Sequence, residues 1–382
     1  MFRSIAARAR LAILATLFLF CISPLLHAQT PPPVIAKAYV IADVSSGQIL
    51  ASDKADERFE PASLTKLMTA YLVFQSLKDK KLSLDTVVPV SERAWRAAGS
   101  RMFIEPRRPV TVDELIRGMI VQSGNDACIA LAEAIGGSED VFAQMMNREA
   151  QRLDMKNSSF VNSNGLPDPR HYSSARDMYL LASALIRDFP AEYATYYSMK
   201  EYRYNNIKQM NRNRLLWLDP SVDGMKTGYT EAAGYCLVAS SKRGPRRLMS
   251  VLLGSTAEST RAQESQKLLN WGFQFFDAVK LYEKGAPMKS IEVWKGSARE
   301  VKAGFPTDIF VTVPKGQAEK LKADLLAQQP LLAPLSAGQK IGVMRVTLDG
   351  KEVGEYPVLA LESVAAAGIF GRAWDTLRLW LK

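Results

Sequence analysis

The sequence predicts an α+β protein: a large domain with an antiparallel sheet flanked by helices, a small antiparallel β domain, and a C-terminal amphipathic helix. Three observations carry this. Residues 64–74 hold a single charge, Lys66, as does a helix buried on all sides. Two apolar runs, 234–240 and 248–254, flank the basic stretch 241–247 as a hairpin would. Beyond Gly285 the texture changes to short β-branched runs, and the final segment returns to a helical period.

The elements follow in order. Arg3, Arg8 and Arg10 precede the apolar stretch 11–26, and Ala28 offers a small residue for cleavage. This is the shape of a secretory signal, assigned to 1–28, with an uncleaved membrane anchor as the alternative. Residues 37–44 and 48–51 read as strands around the turn Ser45-Ser46-Gly47. Pro61-Ala62-Ser63 opens the buried helix. Thr111 and Glu114 form a capping box, and that helix ends near Gln122. A further helix runs through Ala134. Ser138 caps the next, over 139–153. Residues 162–171 are loop, rich in Asn, Gly and Pro, and 176–189 is helix. An amphipathic helix over 264–276 closes a first domain assigned to 29–285. Strands at 291–294, 308–313, 341–348 and 353–359 make a second domain, 286–361, with a hairpin turn at Asp349-Gly350. In 362–382, Ile369, Phe370, Ala373, Trp374, Leu377, Trp380 and Leu381 share one helical face. Arg372, Asp375, Arg378 and Lys382 share the other. Trp and Phe opposite Arg and Lys suit a helix lying in a membrane surface, and docking onto the β domain is the alternative.

The formal charge is +10; without the three arginines of the signal it is +7. A basic exported protein suits an anionic membrane surface or cell wall. No basic run interleaved with aromatics supports a nucleic-acid partner. Of three cysteines one lies in the signal, leaving Cys128 and Cys236 free or paired, too few for a disulfide scaffold. His27 and His171 are the only histidines, and no Cys/His cluster suggests a metal.

Three motifs carry chemistry: Ser63-Leu64-Thr65-Lys66, Ser123-Gly124-Asn125 and Lys226-Thr227-Gly228. Spaced by three on a helix, Ser63 and Lys66 share a face. A serine hydroxyl needs a base, and a lysine desolvated by apolar neighbours can be neutral enough to serve. A Ser-His-Asp triad would have to use His171. Ser123 can relay a proton, Asn125 can hold a substrate amide, and Lys226 and Thr227 can bind a carboxylate. Gly228 permits close backbone approach. Lys226-Thr227-Gly228 is expected just before a strand. Each motif alone is common; their order and spacing together are not.

With this motif set the chain resembles the low-molecular-mass penicillin-binding proteins, and most of all the D-alanyl-D-alanine carboxypeptidases of the bacterial wall. The resemblance is densest over 61–69, 120–133 and 222–240. It implies a β-lactamase/transpeptidase-like first domain. It implies Ser63 as nucleophile, Lys66 as base and Ser123 as relay, with Asn125 on the substrate and Lys226 and Thr227 at its terminal carboxylate. Backbone N–H groups of Ser63 and Tyr229 would form the oxyanion hole, and Arg247 would help hold the carboxylate. It implies no cofactor, a peptidoglycan pentapeptide as substrate, β-lactams as covalent inhibitors, and a place on the periplasmic face of the cytoplasmic membrane. Tyr229 departs from the His of some relatives. Residues 162–177 contain no Glu to deacylate β-lactams. An endopeptidase or β-lactamase on the same site, or a non-catalytic wall-binding scaffold, are the alternatives.

Overall fold

The computed structural model describes residues 30–381, so the expected signal lies outside the described residues. Five strands, β1 (Ala38–Asp43), β2 (Ile49–Asp53), β3 (Val222–Thr230), β4 (Gly234–Arg243) and β5 (Arg246–Ser255), form an antiparallel sheet in the order β2-β1-β5-β4-β3. Strand alternation sends Val40, Ala42, Val238, Met249 and Val251 into the main core, and Ile41, Leu237, Ala239, Leu248 and Leu252 into a second core on the opposite face. Helices α1 (Lys66–Lys78), α2 (Asn125–Gly136), α3 (Glu139–Arg152) and α4 (Ala175–Asp188) belong to the first core, while α5 (Glu258–Phe275) covers the second. A sheet covered on both faces needs apolar residues at successive positions, which is why 248–253 reads as an almost unbroken apolar run.

Local signals held. Every residue of α1 from Lys66 to Phe74 is buried. Thr111 and Glu114 make the capping box, and Ser138 caps α3. Three expectations are corrected. Lys226-Thr227-Gly228 lies within β3 rather than ahead of a strand. The second domain begins at 276 rather than 286, because Phe276–Tyr282 (β6) pairs with Ile309–Pro314. Residues 362–366 stay with the β domain through bridges at Val364 and Ala366, and the terminal helix α6 is Ile369–Trp380.

The β domain has its own apolar core and a six-stranded sheet, antiparallel except for the short pairing of Val293 with Leu331. Asp349 and Gly350 both have positive φ (49° and 79°), the two-residue hairpin geometry their sequence suggests. The Gln48 side chain, in the β1–β2 turn, ties the domains together: its Oε1 accepts the Thr312 N–H, and its Nε2 donates to the Thr312 carbonyl.

Candidate active site

Residues Ala62–Thr65 make a single tight turn that feeds α1. Ala62 has φ 48°, a left-handed conformation that costs a residue with a side chain, and Ser63 follows as the one partly exposed position of the turn. Lys66 is 1% exposed. Its Nζ lies 2.9 Å from Ser63 Oγ, 2.8 Å from Asn125 Oδ1 and 2.6 Å from the Asn164 carbonyl. Burial lowers its pKa to about 8. A neutral amine has two N–H bonds and one lone pair. The two carbonyl acceptors account for the N–H bonds, and the lone pair is left for the Ser63 hydroxyl proton.

The second motif reaches the site through a wide turn, Gly118–Gln122, closed by Ser123 at φ 66°. The buried Asp126 carboxylate holds the facing loop by accepting the N–H groups of Met102 and Phe103 at 3.0 and 2.8 Å. Ser123 Oγ is bonded to Lys226 Nζ at 3.0 Å, so the resting hydroxyl is tied to Lys226. Lys226 also donates to the Thr227 carbonyl. Burial, and then the charge of Lys66, push its pKa well below that of an ordinary lysine. Asn125 is engaged at both ends of its amide, accepting from Lys66 and donating to the Ala98 carbonyl at 2.6 Å.

Strand β3 is the sheet edge that faces the nucleophile turn. A Cβ on Gly228 would lie 3.0 Å from the Pro61 carbonyl and 3.2 Å from the Ser63 nitrogen, so a glycine is what lets the strand come this close. Tyr229 is half exposed and packs on Tyr235, ring centroids 4.4 Å apart.

The loop 162–171 forms the floor. Glu139 accepts both the N–H and the hydroxyl of Ser163, at 2.9 and 2.7 Å, and Thr69 donates to the Ser163 carbonyl at 2.6 Å. His171 Nδ1 accepts from the Val161 N–H at 3.2 Å, which leaves the proton on Nε2 to be donated to Thr65 Oγ1 at 2.8 Å. Burial depresses its pKa to about 4. His171 is therefore a neutral strut facing Thr65. Cys128 and Cys236 are both free and buried, and burial pushes their thiols up to about 12 and about 11.

The cleft has a volume of about 400 Å³, with Ser63, Ser123, Asn125, Thr227, Gly228 and Tyr229 in its wall. Arg247 is not in it, contrary to expectation. Its guanidinium grips Asp223 through two bonds of 2.7 Å and also contacts Ser240 and Tyr193. It sits on β5, two strands from the cleft edge, and its charge is already matched. The cleft arginines are Arg212 and Arg261. Arg261 is 5% exposed and donates to the Gly228 carbonyl at 3.2 Å. The sequence held no comparable signal for it: α5 also buries Glu264, so Arg261 does not stand out as Lys66 does in the apolar α1.

The chain is similar to known proteins over most of its length. The family model for D-alanyl-D-alanine carboxypeptidase matches residues 26–257, and that for the penicillin-binding protein 5 C-terminal domain matches 276–366. The chain is 45% identical over 371 residues to D-alanyl-D-alanine carboxypeptidase DacC of Escherichia coli (strain K12), covering 94% of this chain and 92% of that one. Penicillin binding protein 5 from Haemophilus influenzae superposes with a TM-score of 0.84 at 43% identity, covering 88% of this chain and 99% of that one. The ampicillin-bound penicillin-binding protein D2 from Listeria monocytogenes gives a TM-score of 0.59 at 30% identity, covering 64% of this chain and 99% of that one.

Proposed function

Because the chain belongs to the D-alanyl-D-alanine carboxypeptidase family, we propose that Ser63 is the nucleophile with which it removes the terminal D-alanine from peptidoglycan pentapeptides. The enzyme is a serine-type carboxypeptidase, and the observation that carries the site assignment is the Lys66 amine 2.9 Å from Ser63 Oγ with its other positions on two carbonyls.

Neutral Lys66 takes the Ser63 proton as Oγ attacks the carbonyl carbon before the last residue. The oxyanion that forms meets the N–H groups of Ser63 and Tyr229. The proton passes by way of Ser123 to the D-alanine nitrogen, the C–N bond breaks, and an ester on Ser63 remains. Water then adds to that ester, its C–O bond breaks, and Ser63 recovers a proton. Thr227, Lys226 and Arg261 receive the substrate's terminal carboxylate, with Arg261 in the part first assigned to Arg247. A β-lactam acylates the same hydroxyl by opening its ring, and its carboxylate occupies the same basic end of the cleft.

The enzyme works outside the cytoplasm, on the periplasmic face of the cytoplasmic membrane. The apolar face of α6 supports this: Phe370, Trp380 and Ile369 are 93%, 83% and 75% exposed. Its polar side meets the β domain, where Asp375 accepts the Lys295 N–H at 2.7 Å and Arg378 lies over the Trp294 ring. Among the described residues no helix is long and apolar enough to cross a membrane, so α6 would lie in the surface.

The deciding experiment is mass spectrometry of a defined pentapeptide ending in D-Ala-D-Ala after incubation with wild type and with Ser63→Ala. Loss of one alanine with the first and none with the second is expected; equal loss with both would remove Ser63 from the mechanism.

A further inference from the structure

Net charge in this chain is concentrated in one place. Residues 99–108 and 200–214 hold eight Lys and Arg against two Glu, +6 of the chain's +10, and the expected signal holds another +3. The rest of the protein is close to neutral.

The two segments are distant in sequence and packed together in space. Gln209 donates to the Arg101 carbonyl at 3.1 Å, Arg108 bonds Asn205, and the Arg108 guanidinium sits 6.0 Å from the Tyr204 ring centre. The hairpin Glu201–Tyr204 and Ile207–Met210 carries Arg203 and Lys208 of the second segment, and Arg212 and Arg214 follow it in the chain. Of these cations only Lys208 has a carboxylate partner among the described residues, Glu201 at 2.7 Å. Arg107, Arg203 and Arg214 are exposed and without one. Like charges gathered this way repel each other and favour an anionic partner.

The surface is continuous with the cleft, whose wall includes Gly99, Ser100 and Arg212. Its partner is thus best sought in something covalently continuous with the peptide in that cleft. We propose that this basic shelf is an exosite for the polymeric substrate, binding the carboxylate-bearing stem peptides that neighbour the one being trimmed on a wall strand. The proposal rests on the carboxypeptidase reading of Ser63. The shelf acts by raising the local concentration of strand at the cleft, so its effect falls with ionic strength.

The test uses the full protein and two substrates, a soluble pentapeptide and uncrosslinked peptidoglycan strands. Arg107→Gln/Arg203→Gln/Arg214→Gln should raise KM on strands roughly fivefold at low salt and flatten the salt dependence of kcat/KM. Pentapeptide turnover and penicillin labelling should stay within about twofold of wild type, and the corresponding triple Lys variant should behave like wild type. An unchanged strand KM and salt slope overturns the proposal. So does an equal loss on the pentapeptide, which would put these arginines inside the cleft chemistry. Reduced binding to anionic phospholipid vesicles with strand kinetics unchanged would assign the shelf to the membrane and also overturn it. Failure of the Ser63 reading would look different: no alanine released from either substrate and no penicillin adduct.

Discussion

Lys66 Nζ lies 2.9 Å from Ser63 Oγ, on a lysine that is 1% exposed and whose pKa burial has lowered to about 8. In the proposed mechanism these are nucleophile and base, three residues apart where the Ala62–Thr65 turn runs into α1.

Acylation by a fluorescent penicillin should rise with pH below about 8 and level off above it, since the reactive form of Lys66 is the deprotonated one. Lys66→Ala should lose roughly 10³-fold in acylation rate while remaining folded by circular dichroism. Retained labelling in that variant would take the base role from Lys66.

Arg261 and Arg247 should separate cleanly. Arg261→Gln removes a cleft cation and should raise KM for the pentapeptide, by a factor of roughly 10–100 for a charge-assisted bond. Arg247→Gln strands the partly exposed Asp223 carboxylate and should cost about 1–3 kcal/mol of stability, with KM of the folded enzyme unchanged. A raised KM with unaltered Tm in Arg247→Gln would return that residue to the substrate.

His171 should make stability depend on acid. Its folded pKa of about 4 lies below the ordinary 6.5, so the unfolded chain binds more protons between those values. The contribution is therefore complete above about pH 6.5 and is lost as pH falls toward 4, at most about 3 kcal/mol. Urea unfolding across this range should show the slope in wild type and a smaller slope in His171→Gln. Identical slopes would mean that other groups carry it.

Removing 368–382 should release the protein from membranes without changing pentapeptide turnover, because the exposed face of α6 is its apolar one. Sedimentation with vesicles before and after truncation measures this; a truncated protein that still sediments would refute the anchor.

The sequence by itself determined what depends on near neighbours along the chain. Ser63 and Lys66 are three residues apart, and the unbroken apolar run after Lys66 marks its helix as a buried one. The cap at Thr111 and the turn at Asp349-Gly350 are equally local. Strand β3 was hidden because its central residues, Lys226-Thr227-Gly228, serve the cleft and give no apolar alternation. Only the tertiary structure decided which arginine faces the cleft, since Arg247 and Arg261 differ in what stands near them in space. It likewise supplied the Asn164 carbonyl to Lys66 from 98 residues away and gathered two separate basic segments into one shelf. Burial and charge act through distance in space, and beyond one or two helical turns the order of residues does not set that distance.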